Sequence, residues 1–373
     1  MAGIYIHIPF CKQSCTYCDF HFSTTYEKYR DEMISAIAKE ISLRKNYIPK
    51  QINSLYFGGG TPSLLNIDEL TLLVDEVKKN FDFSEDFEFT LECNPDDINE
   101  EKLIFWKQIG VNRLSIGVQS FQDADLIWMN RPHNVNDAIK SIKLAQQFGF
   151  DNITIDLIYG LPNLSNEQWI SHLQKAIDLN VQHISAYCLT VEEGTLLGHQ
   201  VQKGKITPAN EDQQSEQFQL LVDILEKNGF EQYEISNFAK NQKYAVHNTS
   251  YWLGKPYLGI GPSAHSFNGD ERRWNVSNNS KYYQSVGENE NWFEKEILSP
   301  ANRFNELLLT GLRTKFGVNL KQLEQICIPA KSFHIQLNSF IELGLVLKKL
   351  DIIQLSPKGK LQADKIALDL FMN

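Results

Sequence analysis

The sequence predicts an α/β protein built on a parallel sheet, and two features of its first half support this prediction. Short apolar, β-branched runs alternate with amphipathic segments, and each run ends in Gly, Pro or polar residues. Because a helix is the usual crossover between neighbouring parallel strands, the repeated unit is a strand followed by a helix. The 373 residues suffice for one barrel-sized domain and a smaller second domain.

Six such strands follow one another along the first half of the chain. The predicted strands are 4–8, 54–57, 87–91, 113–118, 153–158 and 183–187. The predicted helices between them are 26–44, 67–80, 100–109, 135–148 and 166–179. Six units fit either an open doubly wound sheet or part of a β/α barrel, and hydrophobic periodicity does not distinguish the two. In both folds, functional residues collect at the carboxyl ends of the strands.

The second half of the sequence is less regular. The expected elements are a helix at 210–227, a loop-rich aromatic stretch at 233–274, a helix at 302–315, short apolar runs at 343–347 and 352–355, and a final helix through Phe371. We therefore expect a first domain of residues 1–285 and a small α+β domain of residues 286–373.

Composition and charge exclude several classes of protein. No apolar run approaches the roughly 18 residues that a membrane span requires. The first residues, MAGIYIHIPFCKQ, lack the charged lead and long apolar core of a signal peptide, so we expect a cytoplasmic protein without a transmembrane segment. A net charge of −10 argues against nucleic acid as a partner.

Three of the six cysteines, Cys11, Cys15 and Cys18, lie close together in a Cys-x3-Cys-x2-Cys pattern. Thiolates at such spacing bind zinc or an iron–sulfur cluster, and a cytosolic cysteine cluster indicates metal more often than disulfides. A structural zinc site takes four protein ligands, and the sequence offers no fourth at suitable spacing. Three ligands suit a cubane with one iron left open, whereas a zinc or redox-thiol site is the alternative. Cys93, Cys188 and Cys327 are expected to be small buried residues.

The cysteine spacing resembles the signature of the radical S-adenosylmethionine superfamily. The turn Gly58-Gly59-Gly60-Thr61-Pro62 after the second predicted strand is similar to that superfamily's glycine-rich motif. The resemblance implies a partial (β/α)6 TIM-like barrel, a [4Fe-4S] cluster held by the three cysteines, and S-adenosylmethionine at the open iron.

Over its whole length, the chain resembles oxygen-independent coproporphyrinogen III oxidase and the related HemW-type haem chaperones, which implies a small winged-helix-like C-terminal domain. The residues that this resemblance assigns to S-adenosylmethionine are Tyr5, Tyr17, Gly59, Gly60, Thr61, Glu92, Gln119, Arg131 and Asp156. In this interpretation Arg131 pairs with a carboxylate, Asp156 and Gln119 bind ribose hydroxyls or the amino acid moiety, and Tyr17 packs against adenine.

Two departures separate the sequence from the oxidase, and one motif favours the chaperones. Phe20 stands where the oxidase has a further cysteine, and the first strand begins at Ile4 without the oxidase's N-terminal extension. The segment from His247 to Trp252 matches the His-Asn-x-x-Tyr-Trp motif of the chaperones, in which the histidine is implicated in haem binding. Tyr251 and Trp252 would then cover the porphyrin face. The alternative is a hydrogen-bonded histidine in a loop packed with aromatic residues.

The resemblance therefore predicts a haem chaperone that delivers haem to acceptor apoproteins, namely respiratory haem enzymes at the membrane. Its cluster and S-adenosylmethionine site would regulate rather than catalyse. The alternatives are a coproporphyrinogen III oxidase and a radical enzyme acting on another small substrate. The sequence leaves open whether S-adenosylmethionine is cleaved, so it does not decide whether the protein is an enzyme. It also leaves His265, which follows the segment 258–264, without a role.

Overall fold

Six parallel strands form the centre of the computed structural model, which describes residues 2–372. They are β1 (Ala2–Ile8), β2 (Gln51–Gly59), β3 (Asp82–Cys93), β4 (Arg113–Gln119), β5 (Ile153–Tyr159) and β6 (His183–Cys188). They pair in chain order, and β1 and β6 do not pair with each other. The sheet therefore does not close, which confirms the predicted α/β fold with a partial (β/α)6 barrel.

Most of the helices that follow the strands lie where the periodicity predicts them, but the short helices at 123–128 and 196–202 were not predicted. The helices are α1 (Arg30–Leu43), α2 (Ile67–Asn80), α3 (Glu100–Ile109), α4 (Asp123–Trp128), α5 (Val135–Gln147), α6 (Asn166–Asp178), α7 (Leu196–Gln202) and α8 (Glu211–Lys227). Capping boxes fix the first turns of α2, α5 and α6. In each, the side chain of the capping residue accepts a hydrogen bond from the backbone N–H three residues later; these residues are Asn66, Asn134 and Ser165. Such local signals explain why the predicted bounds of these helices are accurate.

Six short strands extend the parallel sheet at both edges. They are β7 (Glu231–Gln232), β8 (Asn237–Ala239), β9 (Tyr257–Ile260), β10 (His265–Phe267), β11 (Glu271–Asn275) and β12 (Phe293–Ile297). The strand order is β12-β11-β10-β9-β1-β2-β3-β4-β5-β6-β8-β7. Two helices, α9 (Val246–Trp252) and α10 (Asn279–Glu288), lie between these strands. The prediction of a loop-rich stretch at 233–274 is therefore wrong, because strands of two to five residues are too short to show periodicity.

The buried carboxylate of Glu40 on α1 joins the segment around β9 to β12 to the barrel. Its hydrogen-bond donors are Gly261 N (2.9 Å), Asn275 Nδ2 (2.8 Å), Tyr282 OH (2.5 Å), Trp292 Nε1 (2.9 Å) and Arg44 Nη1 (3.2 Å). Four of these donors come from the segment 261–292, and Glu40 itself has no exposed surface. One side chain thus helps to fix the position of the segment 261–292 against α1.

The C-terminal part has its own small sheet and core. Its elements are α11 (Pro300–Leu312), β13 (Val318–Asn319), α12 (Leu320–Ile326), α13 (Lys331–Glu342), β14 (Val346–Lys349), β15 (Ile352–Leu355), α14 (Pro357–Lys360) and α15 (Ala363–Asp369). A helix, a strand, two helices and a β-hairpin in this order are typical of a winged helix. Among the helices of residues 2–372, none has the length and apolar character needed to cross a membrane.

The apolar side chains form two separate cores, and these bear on the domain boundary. The first core extends as far as Trp292 and Phe293, and the second begins at Phe304. The boundary expected between residues 285 and 286 falls inside α10, which packs on α1. We propose instead that the domains divide between β12 and α11, at about residue 299.

Replacement of Glu40 by alanine should destabilise the protein. The substitution leaves Arg44 and the other four donors buried without their acceptor, so the free energy of unfolding should fall by about 3–5 kcal/mol. Urea unfolding followed by circular dichroism measures the change. Glu32→Ala, at an exposed position of the same helix, is the control and should change little. Equal stability of the two variants would contradict the role assigned to Glu40.

Candidate functional site

The loop after β1 and the carboxyl ends of β2 to β6 surround a cavity of about 660 Å³, called here the first cavity. Eleven of the predicted cluster and S-adenosylmethionine residues line it: Cys11, Cys15, Tyr17, Cys18, Gly59, Gly60, Thr61, Glu92, Gln119, Arg131 and Asp156. Tyr5 does not line the first cavity. It lies on β1 and borders the neighbouring cavity, described below. The parallel sheet thus gathers residues that are up to 145 positions apart at one rim.

The cysteines lie on the loop that follows β1, and backbone and charged contacts hold this loop. Cys11 N donates to Ser23 O (3.1 Å), and Thr16 N donates to Met129 O (3.1 Å). Lys12 Nζ pairs with Asp96 (2.6 Å) and with Asp97, in the turn after β3. The loop is therefore fixed at both ends and at its centre.

All three thiols are free and half-buried, and two of them accept hydrogen bonds. Thr61 Oγ1 donates to Cys11 Sγ and Arg131 Nη1 to Cys15 Sγ, each at 3.5 Å. Burial raises the pKa of Cys11 to about 11 and that of Cys18 to about 12. Metal binding at this loop must therefore displace protons from the thiols.

The donor set fits an iron–sulfur cubane better than a single metal ion. Within residues 2–372, no group of three His, Cys, Asp or Glu side chains converges on one ion position. In a cubane each cysteine binds a different iron at its own corner, so the thiols need not converge on one point. The three thiols also face an open cavity, which leaves room for a further ligand at the fourth iron.

The other three cysteines only partly match the expectation of small buried residues. Cys93 is buried, with 4% of its surface exposed. Cys188 and Cys327 are half-buried, and Cys188 borders the first cavity at the end of β6.

Close packing explains the glycines after β2. Gly59 has a φ of 106°, in the left-handed region that favours glycine. A Cβ atom at Gly60 would lie 2.6 Å from Phe10 O and 2.8 Å from Ile8 O. The turn therefore packs directly against the start of the cysteine loop, and larger residues would displace that loop.

Arg131 is the main positive charge beside the cysteines. Its Nη2 donates to Asn94 Oδ1 (2.7 Å) and to Gly117 O (3.0 Å), while its buried Nε has no protein partner among residues 2–372. Gln119, at the end of β4, has a φ of 67°, a backbone conformation that residues other than glycine rarely adopt. Such backbone strain is concentrated at functional sites.

Two half-buried carboxyl groups, Glu92 and Asp156, form the floor of the first cavity. Tyr56 OH donates to Glu92 Oε1 (2.7 Å), and Gly59 N donates to Oε2 (3.3 Å). Burial, reinforced by the neighbouring Asp156, raises the pKa of Glu92 to about 7. Burial likewise raises the pKa of Asp156 to about 6, although Ser185 and a nearby guanidinium oppose this shift. The floor can therefore exchange protons near neutral pH.

The sequence did not identify two residues of this floor. Arg113, 1% exposed, lines the cavity, and its Nε lies 3.8 Å from Glu88 Oε2. A charged residue in an otherwise apolar strand was an available signal for Arg113. Tyr56 gave no such signal, because its run 54–57 has the composition of an ordinary buried strand.

A second cavity, of about 690 Å³, lies beside the first, between the rim of the barrel, the strands β9 and β10, and the helices α11 and α12. Asp19, Phe20, Gly59 and Glu92 border both cavities. Phe20, which follows the last cysteine of the loop by two residues, is 66% exposed. The two cavities are therefore direct neighbours.

The structure places His247 on helix α9 rather than in the expected loop. The side chain is 2% exposed, with Nδ1 2.9 Å from Ser54 Oγ and Nε2 2.7 Å from Tyr251 OH. Burial lowers the pKa of His247 to about 3, so the ring is neutral. Tyr251 and Trp252 line the second cavity, whereas His247 lines neither cavity. The loop assignment is wrong because a seven-residue helix has too few turns to show a period.

The partial barrel with its cysteine loop has the architecture of radical S-adenosylmethionine proteins, and residues 5–176 match the family model described as Radical SAM superfamily. The chain is 33% identical to "Heme chaperone HemW" of Bacillus subtilis, over 98% of each protein. It is 32% identical to the protein of the same name from Lactococcus lactis, over 95% of this chain and 93% of that protein. The chain therefore belongs to the HemW family of radical S-adenosylmethionine proteins.

A solved structure supports the fold. The coproporphyrinogen III oxidase HemN of Escherichia coli, described as a radical SAM enzyme, aligns with a TM-score of 0.85 and 26% identity. The alignment covers 100% of this chain and 90% of that chain.

Replacement of Glu92 by glutamine should stabilise the metal-free protein at high pH. The pKa of Glu92 rises from an ordinary 4.5 to about 7 on folding. As pH rises through this window, the unfolded chain loses the proton that the folded protein retains, so stability falls. At pH 8.5 the glutamine variant should exceed wild type by about 2 kcal/mol, whereas at pH 5 the two should be similar.

Urea unfolding under anaerobic, reducing conditions measures this difference at both pH values. Glu85→Gln, at an exposed position of the same strand, is the control and should show no pH-dependent gain. A constant difference between Glu92→Gln and wild type from pH 5 to pH 8.5 would contradict the raised pKa.

Proposed function

We propose that this protein is a haem chaperone, which binds haem and transfers it to acceptor apoproteins. The observation that carries the proposal is the second cavity, into which α9 presents Tyr251 and Trp252 of the His-Asn-x-x-Tyr-Trp motif. The two HemW relatives, whose names state this function, align along almost their whole length. We propose respiratory haem enzymes at the membrane as the acceptors and the cytoplasm as the place of action, where free cysteines are usual.

The radical S-adenosylmethionine site accompanies this function. We propose that Cys11, Cys15 and Cys18 hold a [4Fe-4S] cluster, in keeping with their three free thiols at one cavity. When bound, the cluster offers its open iron to the amino and carboxylate groups of S-adenosylmethionine and supplies an electron. Arg131 contributes a half-buried positive charge beside the cysteines, and its buried Nε, which has no partner among residues 2–372, can take a carboxylate.

The remaining assignments follow the lining of the first cavity. Gln119 ends β4 and Asp156 lies within the neighbouring strand β5, and both can bind hydroxyl or amino groups. Tyr17 offers a ring for adenine. Gly59, Gly60, Thr61 and Glu92 line the same space. Tyr5 OH lies 3.1 Å from His7 Nδ1, and Tyr5 borders the second cavity, so its assignment to S-adenosylmethionine rests on the resemblance alone.

We propose that the S-adenosylmethionine site regulates haem binding rather than catalysing a reaction. A short chain of contacts joins the two cavities. The Tyr56 hydroxyl donates a hydrogen bond to Glu92, and the Tyr56 ring stacks on the His247 ring with 5.1 Å between ring centres. His247 is in turn hydrogen-bonded to the Tyr251 hydroxyl. Occupancy of the first cavity can therefore alter the wall of the second. His247 contributes to haem binding by holding the Tyr251 hydroxyl.

Coproporphyrinogen III oxidase is the second candidate function, and the likeness to HemN over the whole chain favours it. The two functions differ in what happens to a porphyrinogen. Anaerobically reconstituted protein with S-adenosylmethionine should leave coproporphyrinogen III unchanged if it is a chaperone. Conversion to protoporphyrinogen IX would establish the oxidase instead.

The chaperone function predicts both haem binding and haem transfer. Haem titration should give a saturable shift of the Soret band at one haem per chain, and the loaded protein should pass its haem to a haem-free respiratory cytochrome. Absorbance spectra of the separated proteins measure the transfer. Lack of haem binding by the wild-type protein would contradict the proposal and favour a radical enzyme acting on another small substrate.

Replacement of Cys15 by alanine tests the cluster. The variant removes one of three thiolate ligands, so the brown absorption of the anaerobically reconstituted protein should be largely lost, with iron content reduced in parallel. Cys327→Ala is the matched control, because Cys327 lies in the separate C-terminal core and lines neither cavity. Full absorption in the Cys15 variant would contradict the assignment.

A further inference from the structure

One imidazole faces the second cavity with both ring nitrogens free. His265, on β10, is exposed and lines this cavity. Its side chain makes no hydrogen bond to any residue between 2 and 372. His7, which also lines the cavity, has both ring nitrogens occupied, by Tyr5 OH (3.1 Å) and by His21 O (2.8 Å). His247 is equally occupied and buried.

Strand register explains why His265 points into the cavity. In the antiparallel pair β10 and β11, His265 lies opposite Trp274, and Phe267 lies opposite Arg272. Because side chains alternate along a strand, these four share one face of the sheet. Ser266 takes the other face, where it is buried and hydrogen-bonded to Gly259 and to Arg44.

The His265 ring has one aromatic neighbour and one cationic neighbour. It stacks on Trp274 at 6.3 Å between ring centres with an angle of 27°. Burial and the nearby guanidinium of Arg272 lower the pKa of His265, which favours the neutral imidazole. Neutral imidazole is the form that coordinates haem iron.

The other walls of the cavity combine aromatic rings and cations. Tyr257 lies opposite Phe267 and packs edge-on against Tyr251 at 4.4 Å between ring centres. Arg272 pairs with Glu306 of α11 (2.9 Å), and Arg303 pairs with the exposed Asp270 (3.0 Å).

Both guanidinium groups retain capacity for a further anion. Arg303 Nε is buried and has no partner among residues 2–372, and the side chain of Arg272 is 34% exposed. Burial raises the pKa of Glu306, the carboxyl group paired with Arg272. The volume of about 690 Å³ is within the range of about 300–1,000 Å³ typical of small-molecule sites.

We propose that haem binds in the second cavity, with its iron facing the imidazole of His265 and its propionates facing Arg272 and Arg303. The inference rests on the proposed haem-chaperone function and specifies its binding site. Each part of haem meets a matching group. The iron faces a free nitrogen donor, the flat ring packs against Tyr257 and Trp252, and the carboxylates face two guanidinium groups.

The first experiment is a haem titration of reconstituted protein and its His265→Ala variant. The variant should bind haem at least tenfold more weakly with a displaced Soret band, and added imidazole should restore the wild-type band position. His334→Ala, at an exposed position of α13, is the control and should behave as wild type. The iron–sulfur absorption of each variant verifies that the barrel is intact.

The outcomes separate this site from the function itself. A His265→Ala variant with wild-type affinity and spectrum would overturn the site while leaving the haem-chaperone function in place. Loss of the Soret band in His247→Gln, with His265→Ala unaffected, would likewise overturn it. Absence of haem binding by the wild-type protein would overturn the function and the site together.

The second arm of the test concerns the propionates. Arg272→Gln should weaken haem binding several-fold but should leave the binding of haem dimethyl ester, which has no propionate charges, unchanged. If Arg272→Gln weakened the binding of both ligands equally, or weakened the binding of neither, the placement of a propionate at Arg272 would be overturned.

Discussion

The buried carboxylate of Glu40 is the interaction on which the architecture beyond the barrel depends. Its donors belong to α1, to the turn after β9, to β11, to α10 and to the segment before β12. A carboxylate without exposed surface is stable only when its lone pairs are satisfied, and here five donors do so. Together with the pairing of β9 with β1, this group fixes the segment 257–297 to the barrel, and the second cavity acquires its wall of β9 and β10.

A second buried charge organises the interior of the barrel. Glu88 on β3 lies near Arg113, and it also accepts from the backbone nitrogens of Val246 and His247, each at 2.9 Å. A carboxylate at the first turn of a helix is favoured by the helix dipole and by the free N–H groups there. This contact sets the position of α9, and α9 in turn presents Tyr251 and Trp252 to the second cavity.

The two cavities lie side by side, and under the proposed function this arrangement would give the cluster site a physical means of influencing haem. Glu92, Gly59 and Phe20 belong to both walls, so a ligand in either cavity contacts side chains of the other. The proposed coupling would be reciprocal: haem would affect S-adenosylmethionine binding to the same extent as S-adenosylmethionine affects haem binding. Two neighbouring sites with shared walls are what the proposed loading and release of haem in response to the cofactor requires.

The sequence by itself determined the six strands of the barrel, the helices between them and the cysteine loop. Each of these depends on local properties: side-chain periodicity, capping residues such as Asn66 and Ser165, and the spacing of three cysteines. The tertiary structure alone decided the short added strands, the burial of His247 and the free imidazole of His265. These features depend on contacts between distant residues, such as Glu40 with Trp292, which no local pattern records.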